Sequence, residues 1–498
     1  MNTDVVIAGA GPNGLMLACE LSLAGIRPLV LERLPEPAQE NRANGLVGQV
    51  VRMLDRRGLY ERLTANKDTP RPAPGFVFGA LPIDLSVLED NPLYLLQVPQ
   101  RRIEQMLEER AVELAVEIRR GHELTGFTQG VDGVSLQVSG PAGPYSIETR
   151  YLVGADGGHS VVRKLAGISF PGVTTDDTIA RTAHALVPAE LIDPATGGLD
   201  IPGYGPIPPF LHHRTERGLF VYAPLPGAPA PLISTMEWNE QGAEGPLTFA
   251  ELRASAQRVL GVDIAFGPPD GQGPHLTRKL TGGNTRLAER FRDGRVLLVG
   301  DAAHVHSAIG GPGLNLGLQD AVNLGWKLAA DVLGTAPAGL LDTYESERRP
   351  AAERVVMSSR AQSALIAPGS AVTGLRELVT ELLGDRRGVR LIADLMSGAD
   401  IRYDVGCDHP LAGRWAPDLD LADGVRLAEL TRDGRSHLID FTNGDWGYPA
   451  TVGLPGSDVP CTALLLRPDG YVAWATDAPH PDAQSRASLL AAVQRWLG

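Results

Sequence analysis

The chain has 498 residues, a net charge of −14, 43% hydrophobic and 21% charged residues, a composition typical of a globular protein with several domains. The negative charge argues against unaided binding to nucleic acid or to anionic membranes, and no apolar stretch approaches the length of a membrane span. Cys19, Cys407 and Cys461 are far apart and form no CxxC, which argues against a disulfide framework and a cysteine metal site. Because no basic signal peptide is evident at the N-terminus, we expect a cytoplasmic protein.

The first stretch of the chain predicts a strand, a glycine turn, a helix and a second strand. Residues 5–8 are an apolar run suited to a strand buried on both faces, and Gly9, Gly11 and Gly14 follow at once. Gly9 permits a tight turn, Gly11 lets the backbone approach a pyrophosphate, and Gly14 lets helix and strand pack closely. The second strand ends in Glu32, which can accept hydrogen bonds from an adenosine ribose. The pattern predicts a dinucleotide site, and NAD and FAD both remain open here.

The following segment leaves the first βαβ unit. Arg42 precedes a helical pattern and has two open interpretations: contact with a phosphate or a flavin edge, or a solvated arginine at a helix start. Residues 66–99 are rich in Pro and Gly and predict an excursion of strands, and residues 103–114 have the periodicity of an amphipathic helix. A proline–glycine turn at residues 140–143 predicts a hairpin.

A second candidate site begins where the strand at residues 151–155 ends. Asp156 and Gly157 follow that strand, and a helix is expected to begin near Ser160. An Asp at the end of a buried strand suits a polar contact in a crevice. The alternative is an Asp that caps the next helix, and the local sequence does not decide between them.

Residues 172–275 have short alternating runs that predict a mainly antiparallel sheet. Phe210, Tyr222 and Trp238 lie here, and they suit either a pocket for a flat apolar substrate or the core of the sheet. His212 and its neighbour His213 point to opposite faces of a strand, which is poor spacing for a metal site, so we predict none. A pocket role for His212 stays open.

A third candidate site follows the buried strand at residues 295–299. Gly300 and Asp301 end that strand, and a glycine-rich loop at residues 310–317 leads into a helix. The free N–H groups and the positive dipole end of such a loop and helix stabilise an anion, and Asp301 can accept hydrogen bonds from a polyol chain. Further helices follow, with Pro350 marking a kink or a boundary, and a small α/β domain of short strands and a terminal helix closes the chain.

Taken together, these motifs resemble the class A FAD-dependent aromatic hydroxylases, most closely the actinobacterial polyketide and antibiotic hydroxylases such as the angucycline, tetracycline and rifampicin monooxygenases. The glycine turn with Glu32 is similar to the family's FAD–ADP site. Asp156-Gly157 resembles its DG motif, and Gly300-Asp301 resembles its GD motif. Residues 310–328 are close to the family's loop and helix under the flavin, although Pro312 stands where Gln is expected.

The resemblance implies a fold and a domain order. We expect an α/β protein with a discontinuous Rossmann-like FAD-binding domain and helical extension (1–70, 100–171 and 276–395), and a mainly antiparallel β-sheet substrate domain (71–99 and 172–275). The remainder, 396–498, is expected to be a thioredoxin-like C-terminal domain that lacks CxxC and therefore has no dithiol chemistry.

The resemblance also implies residue roles. FAD contacts are expected from Gly9, Gly11, Pro12, Gly14, Glu32, Arg33, Arg42, Arg101, Asp156, Gly157, Gly300, Asp301, Pro312, Gly313, Leu314 and Asn315. Pro312, Gly313 and Asn315 are expected beside the reacting ring, and no acid–base residue is evident. Phe210, His212, Tyr222 and Trp238 are the candidate substrate contacts.

The implied activity is that of a monooxygenase with FAD as cofactor and NADPH, or NADH, and O2 as cosubstrates. In the family, a flavin 4a-hydroperoxide hydroxylates an electron-rich ring, so we expect a small polycyclic aromatic substrate, a polyketide or an antibiotic. Baeyer–Villiger oxygenation and sequestration of an antibiotic without turnover are the alternatives. We expect no nucleic-acid or membrane partner, and a monomer or a homodimer.

Overall fold

The computed structural model describes residues 2–37, 44–64, 68–225, 228, 230–240, 245–271, 275–307, 309–421, 424–453 and 461–498. Arg42, one of the predicted contacts, lies outside the described residues. None of the described helices combines the length and the apolar character that a membrane crossing needs.

The first sheet has eight strands and is built on the N-terminal strand, as the apolar run predicts. β1 (Asn2–Ala8) pairs in parallel with β2 (Leu29–Glu32) on one side and with β10 (Gly143–Gly154) on the other. In the same way β2 pairs with β7 (Glu117–Arg120), and β10 pairs with β19 (Val296–Leu298). The hairpin predicted around residues 140–143 is confirmed, since β9 and β10 pair there. The strands are β1 (Asn2–Ala8), β2 (Leu29–Glu32), β7 (Glu117–Arg120), β8 (Glu123–Gln129), β9 (Val134–Gly140), β10 (Gly143–Gly154), β18 (Arg292–Asp293) and β19 (Val296–Leu298).

Helices cover this sheet and share its main hydrophobic core. The core side chains of β1 are fully buried, as are most of those of α1, because a parallel strand has both faces covered. The helices near this sheet are α1 (Pro12–Leu23), α2 (Gln49–Asp55), α3 (Tyr60–Thr64), α4 (Gln100–Glu113), α5 (Val161–Leu165) and α7 (Pro312–Leu333). The helix predicted at residues 103–114 is α4, with Ile103, Met106, Leu107 and Ala111 buried.

The second sheet has six strands, and every pair in it is antiparallel, as the alternating runs predict. Its strands are β11 (Gly172–His184), β14 (His213–Arg214), β15 (Leu219–Ala223), β16 (Leu232–Trp238), β17 (Thr277–Leu287) and β20 (His304–Val305). Helix α6 (Phe249–Leu260) was not predicted from the sequence. It packs on this sheet, and the two form a separate hydrophobic core. A small antiparallel pair, β12 (Leu199–Ile201) and β13 (Gly205–Ile207), adjoins that core.

The first half of the chain also forms two small antiparallel strand pairs. They are formed by β3 (Gly45–Val47) with β6 (Leu95–Gln97), and by β4 (Gly75–Phe78) with β5 (Leu81–Asp84). The second pair packs against α8 (Thr343–Ile366), α9 (Ser370–Leu383) and α10 (Arg386–Ser397) in a core of its own. The strand excursion predicted for residues 66–99 is therefore confirmed in its described part.

Pro350 lies inside α8, which runs from Thr343 to Ile366, so of the two predicted alternatives the boundary is wrong and the kink stays a prediction. A proline inside a helix removes one hydrogen bond and costs about 3 kcal/mol. Arg348 before it and Ala351 and Ala352 after it are buried, so packing on both sides offsets that cost.

The C-terminal part forms a third sheet in the order β22-β21-β23-β24, with α12 (Ala483–Trp496) packed on it. Its strands are β21 (His437–Asp440), β22 (Ala450–Val452), β23 (Ala463–Leu466) and β24 (Val472–Thr476), and the short helix α11 (Leu427–Leu430) precedes them.

This third sheet is tied to α7 and α8 by a buried cluster of charges. Arg467, just after β23, donates to both carboxylate oxygens of Glu347 and to Asp469, and Lys327 of α7 donates to Glu347 at 2.7 Å. Burial raises the pKa of Glu347, but Arg467 and Lys327 lower it more, to about 2. The aromatic rings of Trp326, Tyr403, Tyr471 and Trp496 surround the Arg467 guanidinium.

Replacing Glu347 by Gln tests this cluster. Because removing one member of a buried ion pair leaves the other uncompensated, we expect a loss of about 3–5 kcal/mol in the free energy of unfolding at pH 7, measured by urea titration. In the wild-type protein, the lowered pKa supplies stability that is present above pH 4.5 and is lost as the pH falls toward 2. Glu347→Gln should flatten that part of the stability profile.

Glu353→Gln on the same helix is the matched control. Glu353 is half-exposed and pairs with Arg349 one turn away, so its loss should change the free energy of unfolding by less than about 0.5 kcal/mol. Equal stability of the Glu347 and Glu353 variants would show that the buried cluster does not hold the two parts together.

Candidate active site

One large cavity, of about 1550 Å³, lies between the first sheet, the second sheet and the β4–β5 pair. Most of the predicted site residues line it, although they come from distant parts of the chain. The predicted residues on its wall are Gly9, Gly11, Pro12, Glu32, Arg33, Arg101, Asp156, Gly157, Asp301, Gly313, Leu314, Phe210 and His212.

The glycine turn after β1 has the geometry that its sequence predicts. Gly9 has φ +111°, and a β-carbon on it would lie 2.4 Å from the carbonyl oxygen of Ala155. A β-carbon on Gly14 would lie 2.0 Å from the carbonyl oxygen of Gly9. Gly14 therefore lies where α1 packs against the glycine turn, and it does not line the cavity. Gly11 has open space where its β-carbon would be, which leaves its backbone accessible to a ligand.

The start of α1 is open toward the cavity. Gly11 is its N-cap residue and gives it no side-chain hydrogen bond, and Pro12 occupies the first turn. The first N–H groups of a helix have no partner within the helix, and they stand at the positive end of its dipole. This end can therefore hold an anionic group such as a phosphate.

Glu32 lies at the end of β2, beside that turn. Its carboxylate accepts hydrogen bonds from the backbone N–H groups of Ala10 (2.8 Å) and Leu34 (2.9 Å), which fixes it on the cavity wall. A carboxylate can accept further hydrogen bonds on its remaining lone pairs, so it remains available to hydroxyl groups of a ligand.

Asp156 has the capping geometry that the sequence left open. Its side chain accepts hydrogen bonds from Ser160 Oγ and from the N–H groups of Val161 and Val162, at the start of α5. It nevertheless lines the cavity together with Gly157, whose φ is +81°. The hydrogen bonds of the Asp156 carboxylate are therefore those of a helix cap, and the turn that carries it still lines the cavity.

The start of α7 is the second open helix end on the cavity. Gly311, its N-cap, has φ +67° and offers no side-chain hydrogen bond, and Pro312 follows as the first helical residue. Gly313 and Leu314 line the cavity. Asn315 does not: it braces the turn by accepting from Val47 N (3.0 Å) and donating to Gly311 O (2.6 Å).

Asp301 belongs to a short 3₁₀ turn, Gly300–Ala302, between β19 and β20. Its exposed side chain lines the cavity, whereas Gly300 is buried beneath it with φ +63°. A β-carbon on Gly300 would lie 2.0 Å from Asn13 Nδ2, so Gly300 allows this turn to approach the start of α1.

A buried triad supports that turn from behind. Asp320 of α7 contacts His304 Nε2 at 2.6 Å and Arg348 Nε at 2.7 Å, and it also accepts from Gly300 N. Burial raises the pKa of Asp320, but Arg348 and His304 lower it by more, so the pKa lies below its usual value and the carboxylate stays ionised. The triad fixes the Asp301 turn and the first turns of α7 relative to each other.

One part of the cavity wall is apolar. The β4–β5 pair contributes Phe76, Val77, Pro82 and Ile83, and the connection between β13 and β14 contributes Phe210 and Leu211. Aromatic and aliphatic walls are typical of sites for small apolar ligands.

Two candidate substrate residues are elsewhere. Tyr222 is 1% exposed in the core of the second sheet, so its predicted contact with a ligand is wrong and the core alternative holds. Trp238, at the end of β16, does not line the cavity either. Both lie on long strands whose alternation does not reveal which face meets a ligand.

His306 lines the cavity and was not anticipated. Its Nδ1 contacts the carbonyl oxygen of Ser307 at 3.0 Å and must donate there, which leaves Nε2 as the lone-pair nitrogen. Burial lowers the pKa of His306, with His304 acting in the same direction, and the contact with Ser307 and the charge of Asp301 oppose the shift. No local motif marks it, because only the fold brings residue 306 beside Gly313.

The hydrogen-bond donors and acceptors on the cavity wall fit a flavin dinucleotide. Two open helix ends at α1 and α7 offer sites for two separate electron-rich groups, while Glu32 and Asp301 offer acceptors for hydroxyl groups near each. A nicotinamide dinucleotide would use the α1 end and leave the second end without a partner. Among the described residues, no group of His, Cys, Asp and Glu is placed to hold a metal ion.

Comparison with known proteins identifies the family. A family model described as FAD binding domain matches residues 2–359, and one described as aromatic-ring hydroxylase, C-terminal, matches residues 409–498. The chain belongs to the FAD-dependent aromatic-ring hydroxylases. The hydroxylase is 43% identical to the 12-dehydrotetracycline 5-monooxygenase/anhydrotetracycline 6-monooxygenase of Streptomyces rimosus, over 100% of this chain and 99% of that protein.

Two further similarities agree with this. The hydroxylase is 37% identical to the rifampicin monooxygenase of Streptomyces venezuelae, over 99% of this chain and 98% of the relative. The solved structure of the OxyS anhydrotetracycline hydroxylase from Streptomyces rimosus superposes with a TM-score of 0.85 at 41% identity, covering 100% of this chain and 99% of that one. This chain is accordingly a FAD-dependent monooxygenase with a mixed α/β fold that uses NAD(P)H and O2.

Gly11 and Gly14 provide a direct test of the helix end at α1. Gly11→Ala should fold normally, because its β-carbon meets nothing within 4 Å, yet it should weaken FAD binding at least about tenfold by blocking backbone approach. Fluorescence titration of the apoprotein with FAD measures this affinity.

Gly14→Ala is the structural counterpart. Its β-carbon would overlap Gly9 O, so we expect thermal unfolding at a lower temperature even before FAD is added. If Gly11→Ala bound FAD as tightly as the wild-type protein, the open end of α1 would not be the phosphate site.

Proposed function

We propose that this enzyme hydroxylates a polycyclic aromatic compound of the tetracycline type, a polyketide or a related antibiotic. The observation that carries the proposal is that one cavity joins two open helix ends to an apolar wall from the β4–β5 pair and the connection before β14. The activities for which its relatives are named, on 12-dehydrotetracycline, anhydrotetracycline and rifampicin, support this substrate class.

Residues on the cavity wall would hold FAD at several points along its length. The start of α1 with Gly11 would receive the pyrophosphate, Glu32 the adenosine ribose, and Asp301 the ribityl chain. Arg33, Arg101 and Gly157 line the same cavity and would complete the contacts. Gly9, Gly14, Gly300 and Asn315 act indirectly in this proposal, because they shape the backbone that makes these contacts.

Bound FAD supplies the chemistry: it accepts hydride equivalents from NAD(P)H and activates O2 for transfer to the substrate. The chain positions the reactants and provides electrostatic stabilisation. The N–H groups of Gly313 and Leu314 present the positive end of a 22-residue helix to any negative charge that develops on the bound ring. The rigid turn at Pro312 and the brace from Asn315 keep those groups fixed, and the apolar wall excludes water.

The domain organisation is part of the proposal. Residues 1–70, 100–171 and 276–395 would bind FAD, residues 71–99 and 172–275 would bind substrate, and residues 396–498 would form a thioredoxin-like structural domain. The absence of a CxxC in the sequence, together with the buried contacts of Arg467 to Glu347, supports a role in stability for this last part.

His306 is the group best placed to receive a hydrogen bond from a phenolic substrate, since its Nε2 is the lone-pair nitrogen and it lies by Gly313. His306→Gln should weaken binding of anhydrotetracycline by about 1–2 kcal/mol and leave FAD affinity unchanged, by fluorescence titration of each ligand. His159→Gln is the control, because His159 lines the cavity beside Gly157. Equal ligand affinity of the two variants would remove His306 from the substrate site.

The decisive experiment for the function uses the FAD-loaded enzyme with NADPH and a panel of anthraquinone, tetracycline and rifamycin compounds. We expect at least one compound to stimulate NADPH consumption and to give a product that carries one oxygen atom from isotopically labelled O2. NMR of that product separates ring hydroxylation from Baeyer–Villiger insertion, which gives the same mass.

Two results would contradict the proposal. Tight binding of a compound without NADPH consumption or oxygen incorporation would favour sequestration of an antibiotic. A purified protein that takes up no FAD would overturn the flavin site itself.

A further inference from the structure

Phe210 has an unusual backbone for its side chain. It lies in the short connection between β13 and β14 with φ +64°, in the left-handed region that bulky residues rarely adopt. The other non-glycine residues with positive φ in the described part of the chain are small or are asparagines: Ala80, Ala115, Asn239 and Asn443. Phe210 is therefore the one large side chain that this part of the protein holds in a strained conformation.

The fold gains little from the ring in return. Phe210 is 41% exposed, and its ring is not among the side chains packed against the core of the second sheet. An exposed phenylalanine in a strained conformation lowers stability twice over, through backbone strain and through apolar surface left in water. Strain that the fold does not need, at a residue that lines a ligand cavity, points to a role in binding.

The surrounding contacts hold the backbone of this turn in place. The N–H of Phe210 donates to the carbonyl oxygen of Tyr222 at 2.8 Å, and Pro208 and Pro209 restrict the chain just before it. Four residues later, the Arg214 guanidinium donates to Ala367 O, Thr373 Oγ1 and Gly369 O, each at 3.0 Å. The turn is thus tied to β15 on one side and to the connection between α8 and α9 on the other.

We propose that Phe210 is a specificity-determining residue whose strained backbone presents its ring in the cavity for stacking on the flat face of a polycyclic aromatic ligand. Leu211 and His212, the next two residues, line the same cavity, so the whole turn forms one wall of the ligand site. Planar rings stack on aromatic side chains with favourable geometry, and a side chain on a backbone that is already held in place loses less entropy on binding. The inference rests on the proposed function, from which it takes the ligand class.

The test uses FAD-loaded protein and anhydrotetracycline as the probe, with two measurements on each variant. The thermal unfolding temperature is measured without the probe, and the dissociation constant of the probe is measured by fluorescence quenching. Phe210→Gly removes both the strain and the ring. We expect an unfolding temperature equal to or above that of the wild-type protein, with binding weakened at least about tenfold, which is about 1.4 kcal/mol.

Two further variants separate the ring from the backbone. Phe210→Tyr keeps an aromatic ring, and it should bind the probe within about threefold of the wild-type protein. Ala115→Gly relieves a similar conformation, φ +59°, at an exposed position after α4 and outside the cavity, so its probe affinity should be unchanged.

The outcomes are distinct. A clear fall in the unfolding temperature of Phe210→Gly would show that the ring serves the fold, and unchanged probe affinity would show that the ring does not meet the ligand; either overturns the inference. If the wild-type protein takes up FAD but binds neither anhydrotetracycline nor another planar polycyclic compound, stacking is overturned while the flavin site stands. If it takes up no FAD, the proposed function fails first.

Discussion

The close approach of α1 and α7 is the constraint on which the rest of the site depends. A β-carbon on Gly317 of α7 would lie 2.3 Å from Asn13 Nδ2, and one on Gly325 would lie 2.5 Å from the β-carbon of Glu20. With Gly14 and Gly300 also packed without room for a side chain, the two helices begin beside the same cavity. Both starts lack a side-chain cap, so the close packing at these glycines brings two positive helix ends to one cavity.

Helix α7 is then fixed along its length by buried charges of different kinds. Near its start, Asp320 joins His304 and Arg348 behind the Asp301 turn. One and two turns further on, Asn323 and Lys327 donate to Glu347, which also accepts from Arg467 of the C-terminal part. Buried ion pairs contribute little net stability compared with apolar packing, but the loss of one partner is costly. Such pairs therefore favour a single arrangement of the helix, and a helix end can stabilise developing charge only if it is held in one arrangement.

The geometry of the glycine turn after β1 could be predicted from the sequence, because its signals are local. Gly9, Gly11 and Gly14 act through their own backbone, and each is flanked by a strand and a helix that the apolar runs reveal. The sequence did not predict well which aromatic residues line the cavity. Phe210 and Tyr222 are both aromatic residues of the same sheet region, yet one lines the cavity and the other fills a core, and only strand register and the turn before β14 decide which. His306 was missed because no motif marks it. Asp156 was left open because its contacts with Ser160 and Val161 are local, whereas its place on the cavity wall is decided by the fold.

The two halves of the cavity rest on separate hydrophobic cores, one under the first sheet and one under the second, with a third beneath the β4–β5 pair. Substitutions in walls supported by different cores are expected to have additive effects on free energy. The ligand-facing wall can therefore diverge in evolution, or be exchanged in the laboratory, without compromising retention of the nucleotide. One redox scaffold can in this way serve many carbon skeletons, and directed evolution toward a new antibiotic can be confined to a small library covering the β4–β5 pair and the Phe210 turn.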